Sequence, residues 1–277
     1  MIIDAHQHFW QLARGDYGWL TPQAGNLYRD YLPQDLAPLL KEFAVSATVL
    51  VQAAPSEAET LFLLGLAREH GFIAGVVGWV DFEATDAAEN IAALATAAAG
   101  KLKGLRPMIQ DIADPRWVLR PSLDAAFEAM VAHGLVFDAL VRPVHLAPLR
   151  ERLLRHPRLR AVLDHAGKPD IAGGAIEPWA AALERLAEDT AICCKLSGLF
   201  TQAGSRRSVA DLTPWVAQLF RCFGAERMLW GSDWPVVNTA ASYGEWLGHA
   251  QELIERSAPG RTVQVLSGTA RSLYRLH

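Results

Sequence analysis

The chain has 277 residues, 51% of them apolar, and a net charge of −4. That length carries one large domain or two small ones with an ample core. The weakly acidic balance, with no basic run, argues against nucleic acid and anionic membrane as partners.

An apolar strand, Ile2 to His6, opens the chain with no basic region or apolar leader ahead of it, so no secretory signal is expected. Further β-branched or apolar runs read as strands: Ala44 to Ala53, Ile73 to Val80, Leu102 to Met108 and Leu135 to Val141. Arg160 to His165, Ala191 to Leu196 and Arg227 to Gly231 bring the number to eight. Helical composition fills the intervals: Leu36 to Phe43, Ser56 to His70, Asp86 to Ala99, Ser122 to His133 and Leu146 to Arg155. Ile176 to Asp189 and Val209 to Phe223 continue the series. The Ala-rich stretch from Asp86 to Gly100 holds Glu89 and Asn90 and is too short to span a bilayer.

Three cysteines, Cys193, Cys194 and Cys222, are odd in number. The adjacent pair point to opposite faces of a strand, so reduced thiols in a cytoplasmic protein are expected.

Strict alternation of strand and helix points to a parallel sheet covered by helices, and eight units of this size match a single-domain (β/α)8 barrel over residues 1–277. A doubly wound open sheet would call for a GxGxxG turn at the first βα junction, which is missing. The long connection from Phe9 to Pro33, rich in Trp, Tyr and Gly, is expected to lie over the barrel mouth.

Catalytic groups of such barrels gather where strands meet the following loops. Those positions hold His6 and His8, Gln52, Trp79 and Asp81, Arg106, Arg142, His165 with Lys168, Lys195 and Ser197, and Asp233. His6 and His8, one residue apart, point the same way because strand side chains alternate. Each group has a plainer reading: His165 and Asp233 as helix caps, Arg106 and Arg142 as ion-pair partners, Lys168 as a solvated loop lysine. Trp10, Trp79 and Trp234 serve packing unless a sugar or aromatic ring stacks there. His133, His145 and His156 lie on or near helical segments and are read as structural.

Five segments then carry a resemblance: Asp4-Ala5-His6-Gln7-His8-Phe9-Trp10, Gly104-Leu105-Arg106-Pro107, Leu163-Asp164-His165-Ala166-Gly167-Lys168-Pro169, Cys194-Lys195-Leu196-Ser197-Gly198-Leu199 and Gly231-Ser232-Asp233-Trp234-Pro235. Spread from end to end, they resemble the amidohydrolase superfamily, and within it the sugar-lactonase branch of amidohydrolase-related family 2. The resemblance implies a (β/α)8 barrel that hydrolyses a small-molecule lactone, L-fuconolactone and L-rhamnonolactone among the branch's substrates. Related members open pyrone or muconolactone dicarboxylates. Two-metal members carry a lysine or glutamate at the end of strand four and a histidine at the end of strand five. Here Arg106 and Arg142 stand there, and Lys103 faces the other way, so a two-metal site is not expected. His6, His8, His165 and Asp233 remain as a single-metal set that zinc would accept, with occupancy open.

On this reading Asp233 is the general base, and His165 and Arg106 steady the oxyanion. Arg142, Lys168 and the loops bearing Trp10, Trp79 and Trp234 hold substrate hydroxyls or a carboxylate. The alternatives are a lactonase for carboxylated rings, an amide hydrolase or decarboxylase on the same barrel, and a non-catalytic sugar-binding barrel.

Overall fold

The structure is a computed structural model that describes residues 1–276. Eight strands are found among those residues: β1 (Ile2–Gln7), β2 (Val45–Val51), β3 (Ile73–Gly78), β4 (Leu102–Leu105), β5 (Val136–Ala139), β6 (Ala161–Leu163), β7 (Cys193–Leu196) and β8 (Met228–Trp230). They pair in parallel in chain order from β1 to β8. The first six connections carry α1 (Pro33–Glu42), α2 (Glu57–Glu69), α3 (Ala87–Ala97), α4 (Asp124–His133), α5 (Leu146–Arg155) and α6 (Trp179–Asp189). Two helices, α7 (Leu199–Gln202) and α8 (Val209–Phe223), separate β7 from β8, and α9 (Tyr243–Ser257) and α10 (Thr269–Tyr274) follow. This is the expected (β/α)8 barrel.

Apart from β1, which runs one residue further, the strands are shorter than the apolar runs suggested. Pro107 lacks an N–H, and β4 ends two residues before it, at Leu105. Neither α9 nor α10 stood out by composition. Ser242 nevertheless announces α9, accepting from the Glu245 N–H while Glu245 reaches back to the Ser242 N–H.

Alternation along the strands sorts two apolar layers. Ile3, Val49, Val51, Val77, Val136, Val162 and Leu229 fill the barrel's lower interior, where Leu273, Tyr274 and Leu276 of the C-terminal segment plug it. Their neighbours on the other face, including Leu50, Val76, Leu105 and Phe137, pack against the helices. Cys193 packs on the inner layer and Cys194 in the outer one, as their adjacency requires.

The ring closes one step beyond β8. The Asp233 N–H donates to His6 O at 2.8 Å, and the His8 N–H to Trp234 O at 2.7 Å. Closure is therefore made by the same two segments that carry the candidate chemistry.

Candidate active site

β1 delivers both histidines through an irregularity. Ile3 and Ala5 face the barrel interior, while Asp4 points out to α9 and accepts from Tyr243 OH at 3.0 Å. Simple alternation would send His6 outward with Asp4. The β1–β2 register instead shifts between Asp4 and Gln7, as a bulge does, and both His6 and His8 turn inward. Asp4 Oδ1 braces this bend by accepting from the N–H groups of Ser232 (2.8 Å) and His6 (3.2 Å).

His165 arrives by a different device. His165, Ala166, Gly167 and Lys168 all have positive φ, between 52° and 68°, and Asp233 sits at 59°. For non-glycine residues each such conformation costs about 1–2 kcal/mol, and strain of this kind collects at functional sites. The left-handed turn is held by Lys168 N–H donating to His165 O at 2.8 Å and by Trp179 Nε1 donating to Ala166 O at 2.8 Å. Gly198 makes room for the ring, since a Cβ there would lie 2.6 Å from His165 Nδ1.

These elements bring four groups together. His6 Nε2 lies 3.2 Å from His8 Nε2. Asp233 Oδ1 lies 3.4 Å from His8 Nε2, 3.8 Å from His6 Nε2 and 3.9 Å from His165 Nε2. All four are nearly or wholly buried. Burial lowers His165 to about 4 and holds His6 well below the usual imidazole range, with Lys195 adding to the effect on His6. Both rings are neutral at pH 7. Burial works to raise Asp233, but His165, His8 and His6 outweigh it and hold the carboxyl below its ordinary range, so it is ionised.

Beneath this cluster lies a buried charge network that the strand-end reading only partly reached. Lys195 Nζ meets Asp138 Oδ2 at 2.5 Å, Asp164 Oδ1 at 2.9 Å and His6 Nδ1 at 3.1 Å. Asp164 also receives Arg106 Nη1 at 3.3 Å, and Tyr274 OH, rising from the bottom plug, donates to Asp138 Oδ2 at 2.7 Å. Lys195, Asp138 and Asp164 are fully buried. Burial pushes Asp138 up to about 6 against the pull of Lys195. For Asp164 burial acts the same way, but Lys195, His6 and Arg106 prevail and hold it well below the usual range. A signal for Asp138 was present in the sequence: an acid in the middle of the apolar run Leu135 to Val141.

A cavity of about 330 Å³ opens above the cluster, its floor made by His8, Arg106, His165 and Asp233. Lys168 and Gln110, hydrogen-bonded to each other, line one polar side with Asp111. Arg106 is 3% exposed, clamped by Gln52 Nε2 donating to Arg106 O at 2.6 Å, and its Nε has no partner among the described residues. Arg142 stands outside, exposed, in an adjoining cleft that shares Gln110 and Lys168 with the cavity.

The tryptophans fall differently from the expectation. Trp10 is buried, donates Nε1–H to Arg29 O and does not line the cavity. Trp234 is buried against Phe9 and Tyr31, and Trp79, half-buried at the end of β3, also lies off the lining. Trp19 is the tryptophan on the wall.

A metal fits the donor set. Ligand atoms of His6, His165 and Asp233 all lie within 4.8 Å of one another, and His8 Nε2 is close to two of them. Two nitrogens held ~2.05 Å from one tetrahedral ion sit ~3.3 Å apart, against 3.2 Å between His6 and His8. His8 Nδ1 donates to Val51 O at 2.8 Å, which frees its Nε2 lone pair. His6 has donors on both sides, Lys195 at Nδ1 and Arg106 Nη1 at 3.3 Å from Nε2. Its Nε2 is free for metal when Nδ1 carries the proton and donates it to Asp164 Oδ1, 3.4 Å away.

A family model described as amidohydrolase matches residues 3–276. An L-fucono-1,5-lactonase of Burkholderia ambifaria is 46% identical over 278 residues, covering 99% of this chain and 95% of the relative. A second L-fucono-1,5-lactonase, from Burkholderia multivorans, is 40% identical over 98% of this chain and 91% of its own. The crystal structure of an amidohydrolase from Burkholderia multivorans with bound zinc is similar with a TM-score of 0.91 at 37% identity, over 100% of both chains.

Proposed function

The chain belongs to the amidohydrolase family, and on that premise we propose that it hydrolyses a sugar lactone of the L-fucono-1,5-lactone class. The observation that carries the reading is the ionised Asp233, set among the neutral rings of His6 and His165 and beside His8 at a cavity floor. A lactone is an ester whose leaving group stays tethered. Opening it requires a deprotonated water, a partner for the tetrahedral oxyanion, and a proton for the departing ring oxygen.

Asp233 Oδ1 takes the proton from the attacking water and returns it to the ring oxygen, so no net proton remains on the enzyme after turnover, and the proton released comes from ionisation of the product carboxylic acid. Arg106 steadies the oxyanion from the cavity floor, and in the metal-free site His165 supplies a second contact when Nε2 carries its proton. A donor in that role is worth ~3 kcal/mol. Lys168, Gln110 and Asp111 hold ring hydroxyls. His6, His8, His165 and Asp233 would hold a single divalent ion such as zinc. When bound, it would lower the pKa of a water to ~7 and polarise the carbonyl.

Composition of the wall favours a polyhydroxylated ring over a dicarboxylate. Asp111 lines the cavity on the same side as Lys168 and offsets that cation's pull on a carboxylate, whereas Arg142, which would bind a second carboxylate, stands outside. No helix is long and apolar enough to cross a membrane among the described residues. Cys194 is buried between strand and helix, and burial pushes its thiol well above the ordinary range, an inert reduced state suited to the cytoplasm.

The test is a pH-indicator assay of aldono-1,4- and 1,5-lactones beside pyrone and muconolactone carboxylates. Acid release from L-fucono-1,5-lactone at a rate well above spontaneous opening is expected. Turnover confined to the carboxylated rings would reverse the substrate choice, and silence across the panel would remove lactonase chemistry.

A further inference from the structure

Trp19 is 42% exposed, whereas Trp10 is wholly buried and Trp234 is 2% exposed. Leaving an indole in water is unfavourable, so a tryptophan kept on a cavity wall calls for an occupant. Nothing about the ring is loose. Its Nε1–H donates to Ala53 O at 2.8 Å, and its ring meets Trp10 edge-on with centroids 5.3 Å apart.

Trp10 leans in turn on Tyr31 at 5.4 Å, Tyr31 on Trp234 at 5.2 Å, and Trp234 on Phe9 at 5.9 Å, all T-shaped. Four rings thus run without a break from Trp234, the neighbour of Asp233, to Trp19 at the cavity rim, with Phe9 beyond Trp234. Backbone pairing of Trp10 with Tyr31 (2.9 and 3.0 Å) and Asn26 Nδ2 donating to Asn238 O at 2.9 Å fasten the same loop.

With the N–H committed to Ala53, the free part of Trp19 is its π-system. The face of an aromatic ring is negative and attracts positively polarised hydrogens. A lactone ring bearing hydroxyls has such C–H groups on its less substituted face. We propose that Trp19 is the stacking platform for the sugar ring, and that the aromatic chain fixes its distance from Asp233. This rests on the sugar-lactone reading above and assigns the apolar half of substrate recognition.

Steady-state kinetics on L-fucono-1,5-lactone with the wild type, Trp19→Phe and Trp19→Ala provide the test. Trp19→Ala is expected to raise KM about tenfold with kcat within about threefold, and Trp19→Phe, which keeps a ring but no N–H, to raise KM less than about threefold. If Trp19 only anchors the loop through Ala53 O, Trp19→Phe will lose as much as Trp19→Ala and kcat will fall with it, which overturns the proposal. A fluorescence titration with L-fuconate, the product acid, needs no turnover. Saturable quenching in the wild type that disappears in Trp19→Phe supports stacking. Quenching retained in Trp19→Phe, or lacking in the wild type, overturns it. A wild type that binds L-fuconate at Trp19 but hydrolyses no lactone would overturn the functional reading and leave the stacking site standing.

Discussion

Gly198 offers the sharpest stability test of how the site is assembled. Its φ is +64°, and an added Cβ would stand 2.6 Å from His165 Nδ1, 2.7 Å from Cγ and 2.9 Å from Cβ of the same residue. Ordinary contact begins near 3.4 Å, so in Gly198→Ala the imidazole or the β7–α7 turn must retreat by about 0.8 Å. The left-handed backbone costs alanine about 1–2 kcal/mol and the overpacking about 1–3 kcal/mol more, giving an expected loss of roughly 2–5 kcal/mol in urea unfolding. A misplacement near 1 Å at a reacting group costs about 100-fold in kcat. The two contributions separate in a double-mutant cycle with His165→Ala, where the share due to the imidazole ring should vanish, while the left-handed backbone cost of about 1–2 kcal/mol and the 2.9 Å approach to the retained Cβ of residue 165 remain. A Gly198→Ala protein within about 0.5 kcal/mol of wild type, or one whose loss is the same with and without the His165 ring, would refute this account of the turn.

Other consequences follow from the buried groups. Glu59 accepts from the Ala53 and Ala54 N–H groups, and burial pushes its carboxyl from 4.5 to about 7. The folded state holds that proton more tightly, so the stability it supports is full below pH 4.5 and declines until about pH 7. The fall is about 3 kcal/mol, from a displacement of about 2.5 at 1.36 kcal/mol each. Urea midpoints should fall across that window and fall less in Glu59→Gln; equal slopes in the two proteins would contradict the assignment. Tyr274→Phe deletes one hydrogen bond to a buried carboxylate and should cost about 2 kcal/mol while moving kcat less than threefold, as urea curves and initial rates will show. Lys195→Met strands Asp138 and Asp164 and should cost about 3–5 kcal/mol, and it should also abolish turnover by releasing His6. Elemental analysis of protein purified without chelator is expected to find about one divalent ion per chain and a large loss in His165→Ala. Metal content near zero with full activity would remove the ion from the account.

Much of the barrel was legible because hydrophobic periodicity and strand–helix alternation are local properties. All eight strands fall inside the apolar runs or within one residue of them, and Pro107 explains the early end of β4. The inward turn of His6 was foreseen for the wrong reason. Alternation aligns His6 with His8, but only the bulge after Asp4 puts that pair on the interior face where Ile3 and Ala5 already point. Asp138 was visible as an acid inside an apolar strand, yet its value depends on Lys195 and Tyr274, more than fifty residues away in sequence. The tryptophans were harder. Trp10, Trp19 and Trp234 share a composition signal, and which of them meets the cavity is decided by the pairing of Trp10 with Tyr31, a tertiary fact with no local signature. The left-handed run from His165 to Lys168 was likewise hidden, since Gly167 alone hints at positive φ while three non-glycine residues adopt it.

The central claim is that Asp233 activates water against a lactone carbonyl. Kinetics of wild type and Asp233→Asn on L-fucono-1,5-lactone at neutral pH test it most directly. The amide keeps the shape of the site but cannot take a proton, so kcat should fall about a thousandfold while KM changes less than about threefold. An Asp233→Asn enzyme whose kcat stays within tenfold of wild type would contradict the claim.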